Sequence, residues 1–241
     1  MRLSSISAFF PAYNEVENLP KMYASLSAVL PTIADDYEIL IVDDGSSDGT
    51  GALADELAER DPHVRPVHHP TNLGYGAAVA HGIEESRLDY IFFTDGDNQF
   101  DVSQIATLLP HIETNDAVIG FRIDRKDPAV RRFNAWAWKQ LVSSMFDLRV
   151  TDIDCAFKLM RRSSLEGIEL ESTGAFISTE LLVKLRKNRK SIHQVGVQHL
   201  PRTAGKQTGA NLRVIARAFR ELFRLRGKLR ERGAVPGAGS F

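Results

Sequence analysis

The stretch YIFFTDGD, residues 90–97, joins a short apolar run to a pair of acidic residues. A run of this length that ends at a polar turn is typical of a buried strand. Further apolar runs of this kind occupy residues 5–10, 37–42, 64–67 and 117–121. Stretches with the helical period lie between them, at residues 19–30, 49–60, 74–86 and 102–112. This alternation predicts an α/β fold with a mainly parallel sheet and helices on both faces.

Polar clusters follow four of the predicted strands, at residues 14–15, 43–48, 72–76 and 95–97. In an open parallel sheet the carboxyl ends of the strands share one edge, and ligands bind at that edge. We therefore expect these four loops, which are distant in the sequence, to meet in one site.

The second half of the chain has a less regular pattern. It predicts helices at residues 130–146, 176–186 and 210–232, and a strand at 192–200. We expect one large domain over residues 1–212, with a nucleotide-binding half at 1–100 and an acceptor half at 101–212. A basic amphipathic helix at 213–232 and a disordered tail at 233–241 follow this domain.

Composition limits the class of protein. The chain has 241 residues and a net charge of −1, and 43% of its residues are hydrophobic, as in an ordinary globular protein. Its single cysteine, Cys155, excludes an internal disulfide and suits a reducing compartment. No apolar run is long enough to cross a bilayer, and the N-terminal run is too short for a signal peptide. We expect a cytoplasmic protein, either soluble or peripheral on the inner face of the membrane.

Positive charge is concentrated near the C-terminus. Residues 201–232 carry ten Lys or Arg and two Glu, so the remaining chain is acidic. Arg213, Arg217, Arg220 and Arg224 recur at helical spacing. Such a helix can lie on an anionic membrane. It can equally pack on its own domain or on a second subunit, and a solvated face is also common. Nucleic acid is disfavoured as a partner because the body of the chain is acidic and contains no recognised module.

The acidic residues after the fourth run predict a metal site. Asp95 and Asp97 are so close that their carboxylates repel unless a cation lies between them, and hard oxygen ligands suit Mg²⁺ or Mn²⁺. Gln99 can add an amide oxygen, and Gly96 allows close backbone approach. Asp101 has a structural interpretation instead, as the N-cap of the helix predicted from residue 102.

Two further loops indicate nucleotide binding. Asp43, at the end of a strand, can accept hydrogen bonds from a base or ribose, whereas Ser47 or Asp48 can cap the next helix. The glycines of Asn72-Leu73-Gly74-Tyr75-Gly76 let the backbone approach phosphates at a helix N-terminus. The chain has neither a Gly-x-Gly-x-x-Gly fingerprint here nor a Walker loop, which disfavours dinucleotide binding and ATP hydrolysis.

These motifs, in this order, resemble those of the family-2 glycosyltransferases, in the dolichyl- or polyprenyl-phosphate sugar synthase-like branch. The four that carry the resemblance are Pro11-Ala12-Tyr13-Asn14-Glu15, Val42-Asp43-Asp44-Gly45-Ser46, Asn72-Leu73-Gly74-Tyr75-Gly76 and Asp95-Gly96-Asp97. The resemblance continues through Gly120-Phe121-Arg122, residues 152–158 and residues 199–205. The chain departs from the family at Ala156 and Lys158, where many relatives have Gly and Arg.

The resemblance implies a GT-A fold, which is a Rossmann-like sheet with an acceptor-side extension. It implies inverting transfer of a hexose from a UDP- or GDP-sugar, with Mg²⁺ or Mn²⁺ bridging the diphosphate. The implied metal ligands are Asp95, Asp97 and Gln99, and the implied nucleotide-binding residues are Pro11, Ala12, Tyr13, Glu15 and Asp43, with Gly74, Asp95 and Gly96 beside them.

The acceptor implied by the resemblance is a polyprenyl phosphate, which is already anionic and needs cations rather than a general base. Guanidinium groups grip phosphate well, and the candidates are Arg122, Arg131, Arg132 and Arg202, with His199 nearby. If the acceptor is instead a sugar hydroxyl of a glycan or glycolipid, Asp154 is the candidate base. The predicted catalytic residues are Asp97, Asp154, Arg122 and Arg202.

The sequence disfavours two other functions. A sugar-phosphate nucleotidyltransferase requires a Gly-rich N-terminal signature with Arg or Lys, and residues 11–15 do not have it. A non-catalytic nucleotide-sugar-binding module is disfavoured because Asp95 and Asp97 are both present. The predicted partners are a nucleotide-sugar donor, a lipid-phosphate or sugar acceptor, the membrane surface through residues 213–232, and a second copy of the chain.

Overall fold

The structure, a computed structural model, describes residues 2–123, 129–201 and 212–233. In residues 129–135, 212–216 and 230–233 it describes the backbone alone. Arg202 and the side chains of Arg131 and Arg132 therefore lie outside the described residues.

Seven strands form one sheet in the described part of the chain. They are β1 (Leu3–Ala12), β2 (Ala34–Asp43), β3 (Val64–His68), β4 (Tyr90–Thr94), β5 (Ala117–Ile123), β6 (Phe157–Arg161) and β7 (Ile192–Gln198). Their order in the sheet is β3-β2-β1-β4-β6-β5-β7. β6 runs antiparallel to both of its neighbours, and all the other pairs are parallel. The predicted mainly parallel α/β sheet is confirmed.

The helices follow the strands along the chain. They are α1 (Leu19–Ile33), α2 (Thr50–Arg60), α3 (Tyr75–Glu85), α4 (Leu109–Ile112), α5 (Ala129–Phe146), α6 (Ile177–Lys187) and α7 (Leu212–Gly233), with 3₁₀ helices at Val102–Thr107 and Arg162–Ser164. None of the described helices combines the length and the apolar character that crossing a membrane requires.

One hydrophobic core holds the sheet and helices together. Phe9 of β1 stacks on Phe93 of β4 with their ring centroids 5.1 Å apart. A Cβ at Gly82 of α3 would lie 2.3 Å from the Phe9 ring, so this glycine lets α3 pack directly on the sheet. The core cluster contains side chains from both predicted halves, for example Phe9 and Leu182. The division of the domain at residue 100 stays a prediction.

Three elements differ from the sequence-based expectation. The predicted helix at 102–112 is a 3₁₀ helix followed by α4, because Pro110 begins a new helix where it has no amide to donate. The predicted strand at 192–200 ends at Gln198, and His199 makes only an isolated bridge with Phe100. β6 was not predicted, because the fully buried Lys158 interrupts its apolar pattern.

Candidate active site

A cavity of about 680 Å³ opens at the carboxyl edge of β1 and β4. The structure brings together there most of the residues that the sequence singled out. Those lining the cavity are Pro11, Ala12, Tyr13, Glu15, Gly74, Asp95, Gly96, Asp97, Gln99, Arg122, Asp154 and His199. The expectation that the four loops after β1, β2, β3 and β4 meet is therefore confirmed, since Asp44 of the loop after β2 also lines the cavity, while the role of each residue stays a prediction.

The loops after β1 and β2 are tied together by hydrogen bonds. Asn14, whose φ of 54° is left-handed, accepts a hydrogen bond at Oδ1 from the Ser47 amide at 2.9 Å. Its own amide donates to Ser46 Oγ at 2.9 Å, and the Glu15 amide donates to Thr50 Oγ1 at 2.9 Å. These bonds fix the turn that presents the half-exposed Tyr13 at the mouth of the cavity.

Asp43 lies beneath this edge and does not line the cavity. Its Oδ1 accepts from the Ser46 amide at 3.1 Å, and its Oδ2 is 3.1 Å from His68 Nδ1. Its contact with a nucleotide base therefore stays a prediction. The N-cap of α2 is Gly49, and Asp48, one residue before it, accepts at 3.0 Å from the amide of Thr50, the first residue of α2.

Asp44 is a cavity residue to which the sequence analysis assigned no role. It is buried, and it accepts hydrogen bonds from the amides of Leu73 at 2.8 Å and Gly74 at 2.9 Å. His69 Nδ1 lies 2.7 Å from Asp44 Oδ1, the same oxygen that accepts from the Leu73 amide, whereas Oδ2 accepts from the Gly74 amide. Asp44 thus fixes the turn before α3. The sequence feature that could have indicated this role is the second acidic residue of the Asp43-Asp44 pair.

The glycines of this turn serve packing between loops. Gly74 has a φ of 103°, and a Cβ there would lie 2.4 Å from the Thr173 carbonyl oxygen. A Cβ at Gly76 would lie 2.4 Å from the Ser172 oxygen and 2.5 Å from the Gly174 oxygen. The Gly76 amide donates to Thr173 O at 3.0 Å. These glycines admit the backbone of residues 172–174, and their predicted approach to phosphate stays a prediction.

Asp95 and Asp97 sit where β4 ends, facing the cavity. Burial and the charge of Asp97 raise the pKa of Asp95 to about 7. Tyr75 donates its hydroxyl proton to Asp95 Oδ1 at 2.8 Å, and Asp97 Oδ1 accepts from the Gln99 amide at 3.1 Å. A Cβ at Gly96 would lie 2.8 Å from the Pro11 oxygen, which explains the glycine between the two acids.

The two carboxylates fit a divalent cation, because burial and their mutual repulsion hold the pKa of Asp95 well above its ordinary value and a bound cation would offset both. Among the described residues no group of three or more His, Cys, Asp or Glu side chains has a metal-binding arrangement. A pair of carboxylates is nonetheless a usual protein contribution to Mg²⁺ bound with substrate phosphates. Asp101, as predicted, accepts from the Ser103 amide and caps the 3₁₀ helix.

Arg122, a predicted acceptor residue, lines the cavity, and its guanidinium is paired with Asp152. Its Nε and Nη2 donate to the Asp152 carboxylate at 2.7 and 2.8 Å. Burial opposes the charge of Arg122, and Asp152 more than offsets this, so the pKa of Arg122 is raised. His199 packs against Phe100 with ring centroids 5.1 Å apart. The predicted phosphate contacts of Arg122 and His199 stay predictions.

Several cavity residues were not predicted because they come from distant elements. The loop before α6 contributes Thr173 to Phe176, and α7 contributes Arg217, Ala218 and Glu221. Arg217 stood out in the sequence only as one of four arginines at helical spacing. No local pattern showed that it faces the cavity while Arg224, on the same helix, does not line it.

The sheet order, the cavity at its carboxyl edge and the acidic pair define an α/β protein of the GT-A type. The chain belongs to the glycosyl transferase family 2, whose family model matches residues 7–168. It is therefore a glycosyltransferase.

Two curated relatives place it further within the family. It is 33% identical over 245 residues to a polyprenol monophosphomannose synthase of Mycolicibacterium smegmatis, covering 93% of this chain and 89% of that protein. It is 30% identical over 211 residues to an undecaprenyl-phosphate mannosyltransferase of Micrococcus luteus, covering 83% of this chain and 85% of that one. The resemblance to the polyprenyl-phosphate branch is confirmed.

Solved structures agree on the fold. Glucosyl-3-phosphoglycerate synthase from Mycobacterium tuberculosis, crystallised with Mn²⁺, UDP-glucose and phosphoglyceric acid, superposes with a TM-score of 0.72. The two sequences are 18% identical, and the superposition covers 98% of this chain and 82% of that one.

Proposed function

We propose that this protein transfers a hexose from a UDP- or GDP-sugar to a polyprenyl phosphate, with inversion at the anomeric carbon. The observation that carries the proposal is the pair Asp95 and Asp97 at the carboxyl edge of the sheet, facing the Gly74 turn across one cavity. The relatives named for polyprenol and undecaprenyl phosphate support the class of acceptor.

Asp95, Asp97 and the amide oxygen of Gln99 would hold Mg²⁺ or Mn²⁺, with water and nucleotide phosphates as further ligands. When bound, the metal neutralises charge on the leaving nucleoside diphosphate. Tyr75 orients Asp95: burial and the charge of Asp95 raise the pKa of Tyr75 well above its ordinary value, so the hydroxyl stays protonated and donates.

The rest of the donor site is fixed before any nucleotide binds. Asp44 holds the amides of Leu73 and Gly74, and Asn14 holds the loop after β2. Such preorganisation places the reacting groups without further ordering when the donor arrives. Pro11 to Tyr13 and Glu15 are proposed to line the nucleotide, with Gly96 allowing close approach of the chain.

On the acceptor side, the Arg122–Asp152 pair fixes β5 against residues 152–155. Lys158, which is fully buried, donates to the Cys155 carbonyl and anchors the same segment. Asp154 lines the cavity from this segment. A phosphate acceptor needs no base, so Asp154 would be structural with such a substrate. With a sugar hydroxyl as acceptor, which is the second candidate, Asp154 would remove the proton.

We also propose a peripheral membrane contact through α7. Its buried face holds Leu222 and Leu225, whereas Phe223 and the charged Arg220 and Arg224 are exposed. An exposed aromatic residue among arginines suits the surface of an anionic bilayer. We propose that the protein lies on the cytoplasmic face of the membrane, and a second copy of the chain is a further proposed partner.

The test is a transfer screen. UDP-glucose, UDP-GlcNAc and GDP-mannose are each incubated with Mn²⁺ or Mg²⁺ and with either a prenyl phosphate or a simple sugar. We expect metal-dependent transfer to the prenyl phosphate, and proton NMR of the product should show the anomer opposite to that of the donor. Transfer to sugars alone would establish the second candidate, and metal-independent transfer would contradict the assignment of Asp95 and Asp97.

A further inference from the structure

Helix α7 forms one wall of the active-site cavity. Arg217, Ala218 and Glu221 line it, opposite the metal-binding pair. Leu222 and Leu225, on the adjoining face, are buried in the protein core, so the helix is packed in place. The wall continues into the loop before α6, because the Arg217 guanidinium donates through Nη2 to Thr173 Oγ1.

The cavity carries an excess of negative charge among its described lining residues. These include six carboxylates but only two arginines. The carboxylates are Glu15, Asp44, Asp95, Asp97, Asp154 and Glu221. A metal can offset part of this charge for the donor diphosphate, but an anionic acceptor needs a cation of its own.

Arg217 is the better placed of the two arginines to meet an incoming phosphate. Arg122 is largely buried, and two nitrogens of its guanidinium already donate to the Asp152 carboxylate. Arg217 is 51% exposed, and its Nε lies 3.3 Å from Glu221 Oε1. Its Nη1 makes no hydrogen bond to a described residue. The Glu221 and Thr173 contacts orient the guanidinium while leaving donors that can grip phosphate.

An apolar row leads from this arginine to the surface. Phe176 and Ala218 line the cavity beside Arg217. Trp138 of α5 packs edge-on against Phe176 with centroids 6.1 Å apart, and against Phe219 of α7 with centroids 5.4 Å apart. Phe219 is 40% exposed. These three rings therefore connect the cavity beside Arg217 with the surface at Phe219.

We propose that α7 forms the acceptor subsite: Arg217 binds the phosphate of a prenyl phosphate, and Phe176, Trp138 and Phe219 hold the first part of its hydrocarbon chain. This inference rests on the proposed function. The occupant is an isoprenoid phosphate because the site joins one phosphate-gripping group to an apolar row, whereas a sugar acceptor would use neither the row nor the charge.

The test compares two acceptors that differ in chain length, dimethylallyl phosphate and farnesyl phosphate. In Arg217→Gln we expect KM to rise about tenfold or more for both acceptors, since a lost charge-assisted contact has that magnitude. In Phe219→Ser we expect KM to rise for farnesyl phosphate alone. The donor KM should stay within about twofold in both variants.

Two controls separate this role from general effects. Arg226→Gln removes the same charge from the same helix away from the cavity, and it should leave both acceptor KM values unchanged. Arg217→Gln leaves the carboxylate of Glu221 without this partner, so Arg217→Gln with Glu221→Gln tests the site if the single variant unfolds. Equal effects of Arg217→Gln and Arg226→Gln, or no effect of Arg217→Gln, would overturn the proposal.

Binding without turnover distinguishes failure of the subsite from failure of the proposed function. The chain has two tryptophans, so a Trp136→Phe background leaves Trp138 as the sole tryptophan fluorophore in the apolar row. Farnesyl phosphate should shift its emission, inorganic phosphate should not, and Arg217→Gln should weaken the shift. If the protein transfers no sugar yet shows this shift, the subsite stands and the proposed reaction fails. Absence of the shift overturns the subsite.

Discussion

The proposed donor side and the proposed acceptor side of the cavity are built by different means. On the donor side, Glu15, Asp44 and Asp95 each follow a strand within a few residues, and short loops fix them through hydrogen bonds. On the acceptor side, Arg122 and Arg217 come from elements 95 residues apart in the sequence, and they meet only through tertiary packing. Short sequence segments therefore determine the proposed donor site. The proposed acceptor site depends instead on how α7 and the loop before α6 pack against the rest of the domain.

The largest effect should come from Asp97→Ala on the donor side. Removal of one of the two metal carboxylates should lower kcat/KM by about 10³-fold or more, comparable to loss of a principal electrostatic group. The assay is transfer with the best donor at saturating Mn²⁺. Asp101→Ala is the matched control, because this exposed cap lies four residues away and should leave transfer largely intact. Normal metal-dependent turnover in Asp97→Ala would refute the assignment of the site.

The contact between the two sides predicts a large effect on stability. In Gly76→Ala the new methyl group would meet two carbonyl oxygens of the loop that carries Thr173, at 2.4 and 2.5 Å. Backbone atoms cannot turn away as a flexible side chain can, so we expect the free energy of unfolding to fall by about 3 kcal/mol. Urea denaturation measures it.

Gly227→Ala is the matched control for that substitution. Gly227 lies inside α7 with nothing within 4 Å of an added Cβ. Alanine there should raise the free energy of unfolding by about 0.5–1 kcal/mol, because it is the better helix former. If Gly76→Ala proves equally harmless, the two sides do not depend on each other as the structure indicates.

The sequence predicted the donor side well because its signals are local. Short apolar runs ending in Asp44 or Asp95 place their acids at the sheet edge by the rule for parallel strands alone. β6 was not predicted, because a lysine in the middle of a short run does not indicate a buried strand. Lys158 is buried only through its contacts with the Cys155 carbonyl and the Phe93 ring, which form in the folded chain. Arg217 could not be separated from Arg220 or Arg224 by spacing, because which helical face turns inward depends on the surface that receives it.

A further effect, which unlike the others depends on pH, concerns the stability of the metal-free protein. The pKa of Asp95 in the folded chain is about 7, above its ordinary value of 3.8. The native state therefore holds this proton more tightly than the unfolded chain does, and stability falls as pH rises from about 4 to about 7. Asp95→Asn removes this penalty while its amide oxygen can still accept from Tyr75.

In EDTA, Asp95→Asn should therefore be more stable than the unmodified protein at pH 8 and equally stable near pH 4. The difference amounts to about 1.4 kcal/mol for each unit of pKa shift. Thermal unfolding at several pH values measures it, and excess Mn²⁺ should reverse the order by stabilising only the chain that retains both acids. If the stability difference between the two proteins is constant across the pH range, the pKa of Asp95 is not raised in the folded protein.

The smallest expected effect tests whether the acceptor side alone meets the membrane. Phe223→Ser with Arg220→Gln removes one exposed ring and one charge from α7 without touching the buried Leu222 or Leu225. We expect recovery with anionic liposomes in flotation to fall several-fold, because each basic residue near such a surface contributes about 1 kcal/mol. Point variants are preferable to truncation, since loss of α7 would uncover the core.

Leu73→Ser with Arg60→Gln removes one exposed apolar side chain and one charge from the predicted nucleotide-binding half of the chain. This control should float like the unmodified protein, and neutral liposomes should recover all three proteins poorly. Equal losses from the two double variants would mean that attraction to the membrane is spread over the whole surface. The acceptor would then reach the cavity from a bilayer to which α7 makes no special contribution. The two sides would differ within the cavity but not on the protein surface around it.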